Sequence, residues 1–223
     1  MIKNNESQTI FFKNEPKIIG FYSIVGPKEG EGIFGSFFDY VMKDDSFGEE
    51  SYEKAERKML EQAVFGSVDK AKKQVSDIGL LLAGDLLNQI ISSSFAARAF
   101  DSAFLGLFGA CSTMAEGLAI GAALVDGGYF ENVVCATSSH FSTAERQFRF
   151  PLELGNQRPP SSQWTVTGAG ASVLSLDGKG AKITSATFGK ITDYGIKDVN
   201  NMGAAMAPAA MTTIISHLKD TKS

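Results

Sequence analysis

The chain predicts an α/β fold: a mixed sheet with a central buried helix. Three observations carry this. Strand-type and helix-type patterns alternate along the 223 residues. Residues 77–83 (DIGLLLA) form a continuous apolar run, as in strands covered on both faces. Residues 104–128 (FLGLFGACSTMAEGLAIGAALVDGG) read as a short strand, a tight turn and a helix that Gly127 and Gly128 stop. In that helix Ala115, Gly117, Ala119, Gly121, Ala122 and Ala123 keep the cylinder slim, which predicts close packing on several sides.

Taken in order, residues 1–7 are polar and expected to fray. Residues 18–25 (IIGFYSIV) are a β-rich run that ends at Gly26 and Pro27. The following loop contains Gly30-x-Gly32-x-x-Gly35, formally a dinucleotide fingerprint, but no long helix follows to dock a pyrophosphate. It reads as a glycine-rich loop. Residues 51–74 have helical spacing, with Tyr52, Ala55, Met59 and Ala63 on one face.

Gly84 and Asp85 stop the strand 77–83, and Asp85 and Asn88 then sit at its carboxyl end, where open α/β sheets place ligands. Asp85 equally suits the cap of a helix over residues 86–98. Residues 132–136 are a strand running into Thr137, Ser138, Ser139 and His140. Arg146, Arg149 and Arg158 follow among aromatics; arginines there either grip carboxylates or face solvent. Residues 163–167 and 171–176 alternate as paired antiparallel strands, with Gly168-Ala-Gly170 as a bend or bulge. Residues 181–190 are a further strand, and helical spacing returns at 202–218, interrupted by Pro208.

Composition excludes several classes. The 21 Lys and Arg against 25 Asp and Glu give a charge of −4, with no general pull toward nucleic acid. Cys111 and Cys135 lack CxxC spacing, so neither a disulfide framework nor a zinc site is indicated, and the compartment reads as reducing. The N-terminus carries no apolar signal core, and Ser112, Thr113 and Glu116 argue against a span at 103–125, so membrane association is expected to be peripheral. Cys111 falls at the first turn of its helix, beside unsatisfied N–H groups that favour a thiolate or a bound anion. The competing reading is a cysteine acting as a small buried hydrophobe.

The words GPKEGEGIFGSFFD, LLAGDLLNQ, LFGACST, ALVDGG, ATSSH, TAERQFR, TVTGAGA and NNMGAAMAPAA add a resemblance covering residue 18 to the C-terminus. They resemble the thiolase and β-ketoacyl-synthase family, and within it the stage V sporulation branch of endospore-forming bacteria. The resemblance implies a thiolase-like fold whose N-terminal half occupies residues 1–200, with a second half only begun and truncated at 201–223. It makes Cys111, in its GACST setting, the counterpart of the cysteine that enzymes of the fold acylate. The second half of those enzymes supplies the catalytic histidine, and neither His140 nor His217 matches its position.

The function implied is non-covalent binding of dipicolinic acid, pyridine-2,6-dicarboxylate, for transport into the developing spore. The ligand residues implied are Cys111, Ser139, His140, Asp85 and Asn88. Asp85 fits a dianion only if it is neutral, turned away, or facing a calcium ion that accompanies the ligand; no other cofactor or metal is expected. The alternative is an acyltransferase using Cys111 as nucleophile on a coenzyme A or carrier-protein thioester. The resemblance also implies a homodimer paired through strand 132–136, other stage V sporulation membrane proteins as partners, and a peripheral place at the forespore or inner spore membrane.

Overall fold

The computed structural model describes residues 7–145, 148, 164–198 and 201–222. Among them β2 (Lys17–Val25), β3 (Tyr40–Val41), β4 (Leu80–Gly84), β5 (Ala103–Gly106), β6 (Asn132–Ser139) and β7 (Gly168–Ser175) form one sheet in the order β3-β2-β7-β6-β4-β5. A short strand β8 (Ala181–Lys182) adds to β2. Strand β7 runs antiparallel to both β2 and β6, whereas β4 is parallel to β5 and β6, so the sheet is mixed as expected. A separate two-stranded ladder joins β1 (Thr9–Phe11) to β9 (Ser185–Thr187).

The two-residue period of the strands divides the core between the faces of the sheet. Leu81, Ala83, Val134 and Ala136 face α2 (Tyr52–Lys70) and α3 (Ile91–Ala97). Leu80, Leu82, Val133 and Cys135 face α4 (Thr113–Asp126). Helix α2 forms where the apolar spacing predicts, and the Ser51 side chain caps it by accepting from Lys54 N at 3.3 Å. Helix α4 lies very close to the sheet at Gly121, where a Cβ would stand 2.9 Å from Cys135 Sγ. Its burial is confined to the sheet-facing stripe of Thr113, Gly117, Gly121, Ala122 and Val125, and Ala115 is exposed. Packing on several sides is therefore not seen among the described residues.

Other expectations need correction. The helix expected over 86–98 shortens to α3, because Gln89 and Ile90 take left-handed φ values of 58° and 49° and break the helical run. Residues 164–167 are not a strand, and Gly168-Ala-Gly170 is the start of β7, not a bend: Gly168 lies so close to β2 that a Cβ would meet Ile24 O at 2.8 Å. The single strand expected at 181–190 is split into β8 and β9, which join different sheets. Strand 132–136 lies within β6, in the interior of the sheet between β4 and β7, so it presents no free edge. The nearer edge, on the far side of β4, belongs to β5, where Phe104 is 37% and Leu105 47% exposed.

Near the C-terminus, α5 (Met202–Thr221) runs through Pro208 without a break and packs against β1 and β9. No helix of the described residues is long and apolar enough to cross a membrane. The expectation for Arg146, Arg149 and Arg158 falls outside the described residues.

Candidate functional site at the carboxyl rim of the sheet

Strands β2, β4, β5 and β6 are mutually parallel and end on one rim, where Gly26, Asp85, the 107–111 turn and His140 follow them. Open α/β sheets bind ligands at such rims. After β5 the chain docks on its neighbour through Leu107 N, which donates to Ala83 O at 2.9 Å. It then turns through Ala110, whose φ is 47°, into a 3-10 turn over Ala110–Ser112 and on into α4. This strained turn, rather than the helix itself, carries Cys111 and leaves it exposed. No side chain caps α4, so the first-turn N–H groups keep their positive character beside the thiol. Thr113 Oγ1, buried in the same turn, has no hydrogen-bond partner among the described residues. Glu116 also reaches back to this end: a Cβ on Gly109 would stand 2.3 Å from its Oε2.

Asp85 is buried, and its carboxylate is directed into the protein. Oδ1 accepts from Leu87 N at 2.8 Å and Oδ2 from Ser93 N at 2.7 Å, so it orders the turn that replaces the expected helix. Of the roles open to Asp85, the turned-away one fits this geometry. Asn88 is exposed at the start of the turn Asn88–Ile90. Ser139, half-buried, donates its hydroxyl to Val166 O.

His140 is sealed in. Nδ1 accepts from Ser142 N at 3.1 Å, which leaves Nε2 to donate to Asp45 O at 3.0 Å. The ring stacks between Tyr52, 4.8 Å away, and Phe141, 5.0 Å away. Burial holds its pKa below the usual histidine value. With both nitrogens engaged, His140 offers a ligand no polar atom, which corrects the expectation of a polar wall. His217 lies on α5 with Nδ1 2.9 Å from Thr187 Oγ1. Cys135 is the small-hydrophobe case: buried, its thiol donates to Gly117 O at 3.1 Å, and burial pushes its pKa up. Among the described residues no group of three or more His, Cys, Asp or Glu is placed to hold a metal ion.

The residue that sequence reasoning missed is Glu56. It lies on the buried face of α2, takes hydrogen bonds from Ser138 and Thr143, and titrates at about 7 because burial, together with the charge of Asp85, disfavours its anion. A signal was present: Glu56 falls four residues after Tyr52 and three before Met59, inside the apolar stripe.

A mixed sheet flanked by helices, with a cysteine in the turn between β5 and α4, places the molecule in the thiolase-like class. The fold is that of OleA from Xanthomonas campestris with bound cerulenin, with a TM-score of 0.63 at 13% identity over 99% of this chain and 76% of that one. It is shared by 3-oxoacyl-(acyl carrier protein) synthase III, FabH, of Xanthomonas oryzae pv. oryzae, with a TM-score of 0.61 at 14% identity over 96% and 75% of the two chains. At the level of sequence, the chain belongs to the Stage V sporulation protein AD (SpoVAD) family, whose model matches residues 6–223. Stage V sporulation protein AD of Bacillus subtilis (strain 168) is 46% identical over 219 residues, which are 98% of this chain; the chain spans 65% of that protein's length.

Proposed function

We propose that the protein binds dipicolinic acid non-covalently at the Cys111 turn, as part of its transport into the developing spore. The observation that carries this reading is the uncapped N-terminus of α4 beside an exposed Cys111, in a chain of a sporulation family. In this reading the first-turn N–H groups and the exposed thiol are the donors for a carboxylate, and the exposed Phe108 offers an apolar surface to a flat ring. Asp85 orders the turn after β4 without presenting charge to the ligand, and Asn88 in that turn and Ser139 at the end of β6 are the further polar candidates of this reading. Calcium is assigned to the ligand and not to a protein cage. The place of action is the surface of the forespore or inner spore membrane, with other stage V sporulation membrane proteins as partners.

A homodimer belongs to the same reading, with its seam moved from the interior β6 to the open edge β5. Exposed Phe104 and Leu105 there join unpaired backbone groups in a ready template for a second copy. Calorimetric titration with dipicolinate, with and without calcium, tests the ligand. Saturable binding that Cys111→Ala weakens and Cys111→Trp abolishes supports the site; unchanged affinity in both variants would remove it.

The exposure of Cys111 after the positive-φ Ala110 favours a second reading, nucleophilic acyl transfer from a thioester. It requires a covalent mass increase on Cys111 after incubation with acyl-coenzyme A or an acyl carrier-protein thioester, and its absence with both in folded protein excludes it.

A further inference from the structure

A cleft of about 260 Å³ opens at the end of β2, lined by Lys28, Glu29, Asp45, Phe141, Trp164 and Thr167, and none of the proposed dipicolinate residues takes part in it. Its polar end is built by two carboxylates. Thr167 N donates to Glu29 Oε1 at 3.0 Å, while Glu29 Oε2 is buried and has no partner among the described residues. Asp45 approaches the same point. A Cβ on Gly26 would stand 2.7 Å from Glu29 Oε2 and 3.1 Å from Asp45 Oδ1, so only a glycine leaves room for the two oxygens to converge. Neither acid forms an ion pair among the described residues.

Two converging carboxylates with one orphaned, buried oxygen call for a cationic donor. The opposite wall is aromatic. Phe141 meets Trp164 edge-on at 5.8 Å, and the Lys28 ammonium sits 3.9 Å from the Trp164 ring centroid. That contact shows the ring face to be a seat for a cation. Among the described residues Lys28 is the one base lining the cleft, against Glu29 and Asp45, so the described lining carries an excess of negative charge. Two carboxylates are too few for a divalent cage, and apolar walls suit a carbon stem better than a hydrated ion.

We propose that this cleft binds an organic cation, a primary ammonium or guanidinium on a short chain. The head lies between Glu29 and Asp45 and the stem against Trp164 and Phe141. The same chemistry is offered by a free amine and by a lysine or arginine side chain of a protein partner, and the volume fits one such group.

Trp164 is the chain's one tryptophan, so its fluorescence reads the cleft directly. Titration with agmatine at fixed ionic strength is expected to give a saturable change in emission. Glu29→Gln, which keeps the Thr167 bond, and Asp45→Asn should each weaken it about tenfold, with far-UV circular dichroism unchanged. Lys28→Ala should leave agmatine affinity equal or higher, because it removes a like charge. A Gly-Gly-Arg-Gly-Gly peptide that binds tighter than agmatine assigns the seat to a protein side chain; the reverse order assigns it to a free amine. The proposal is overturned by no saturable change, by an equal response to uncharged 1-butanol, or by an unaltered response in both acid variants. A response to dipicolinate that exceeds the one to agmatine would likewise reverse the charge assignment, whatever the fate of the Cys111 site.

Discussion

Ser138 donates its hydroxyl to Glu56 Oε1 at 2.9 Å, tying the end of β6 to the inner face of α2, and Thr143 holds Oε2 at 2.6 Å. The acid is buried, and its pKa rises from 4.5 to about 7. A raised carboxyl pKa means that the native state binds more protons than the unfolded chain between these values, so stability falls as pH rises from 4.5 to about 7. The loss is on the order of 3 kcal/mol. Urea unfolding at a series of pH values should show it, and Glu56→Gln should flatten the profile. A variant that keeps the parent's slope would place the titration elsewhere.

His140 works in the opposite sense. Its lowered pKa means that stability is full above the ordinary histidine range and is lost as pH falls through the folded value. His140→Phe preserves stacking on Tyr52 and Phe141 but strands Asp45 O and Ser142 N, at a cost of about 2–3 kcal/mol at pH 8. It should also lose less stability than the parent on acidification. Urea midpoints at pH 8 and pH 5.5 measure both effects.

The two cysteines should separate in a thiol titration. Cys111 is exposed, while Cys135 is buried with its pKa pushed up, so a disulfide reagent should find one thiol in native protein and two in denaturant. Two fast thiols in folded protein would contradict the packing of α4 on β6.

Under the proposed reading, Glu116 would oppose a dianion at the α4 N-terminus. Its carboxylate lies over Gly109, so Glu116→Gln should tighten dipicolinate binding several-fold at low salt, with the gain shrinking as salt rises. Weaker binding in this variant would show that the ligand sits elsewhere or uses Glu116 directly.

The proposed dimer can be tested at the edge of β5. Leu105→Lys puts a charge on an open, apolar edge strand and should shift a dimer to monomer in sedimentation velocity. A dimer that survives it would place the seam away from β5.

Much of this molecule could be read before it was folded. The run IIGFYSIV became β2, the 51–74 pattern became α2, and the small-residue helix after Cys111 became α4, because apolar periodicity and glycine stops are local signals. Local signals failed where backbone conformation depended on distant partners. Gln89 and Ile90 look helical but turn left-handed around the Asp85 carboxylate, and Gly168 looks like a bend but is a strand residue pressed on β2. Strand order was likewise out of reach: nothing within residues 132–136 shows that β4 and β7 will flank them.

The sequence by itself determined the α/β class, the family words and the place of Cys111 beside a helix start, since each is written in contiguous residues. Only the tertiary structure decided that His140 is walled in, that Asp85 turns away from the rim, that Glu56 is a buried titrating acid, and that Glu29 and Asp45 converge on Trp164's cleft. Those properties depend on what residues far apart in the chain do to one another's solvation and hydrogen bonding, and they exist only once the sheet has brought the residues together.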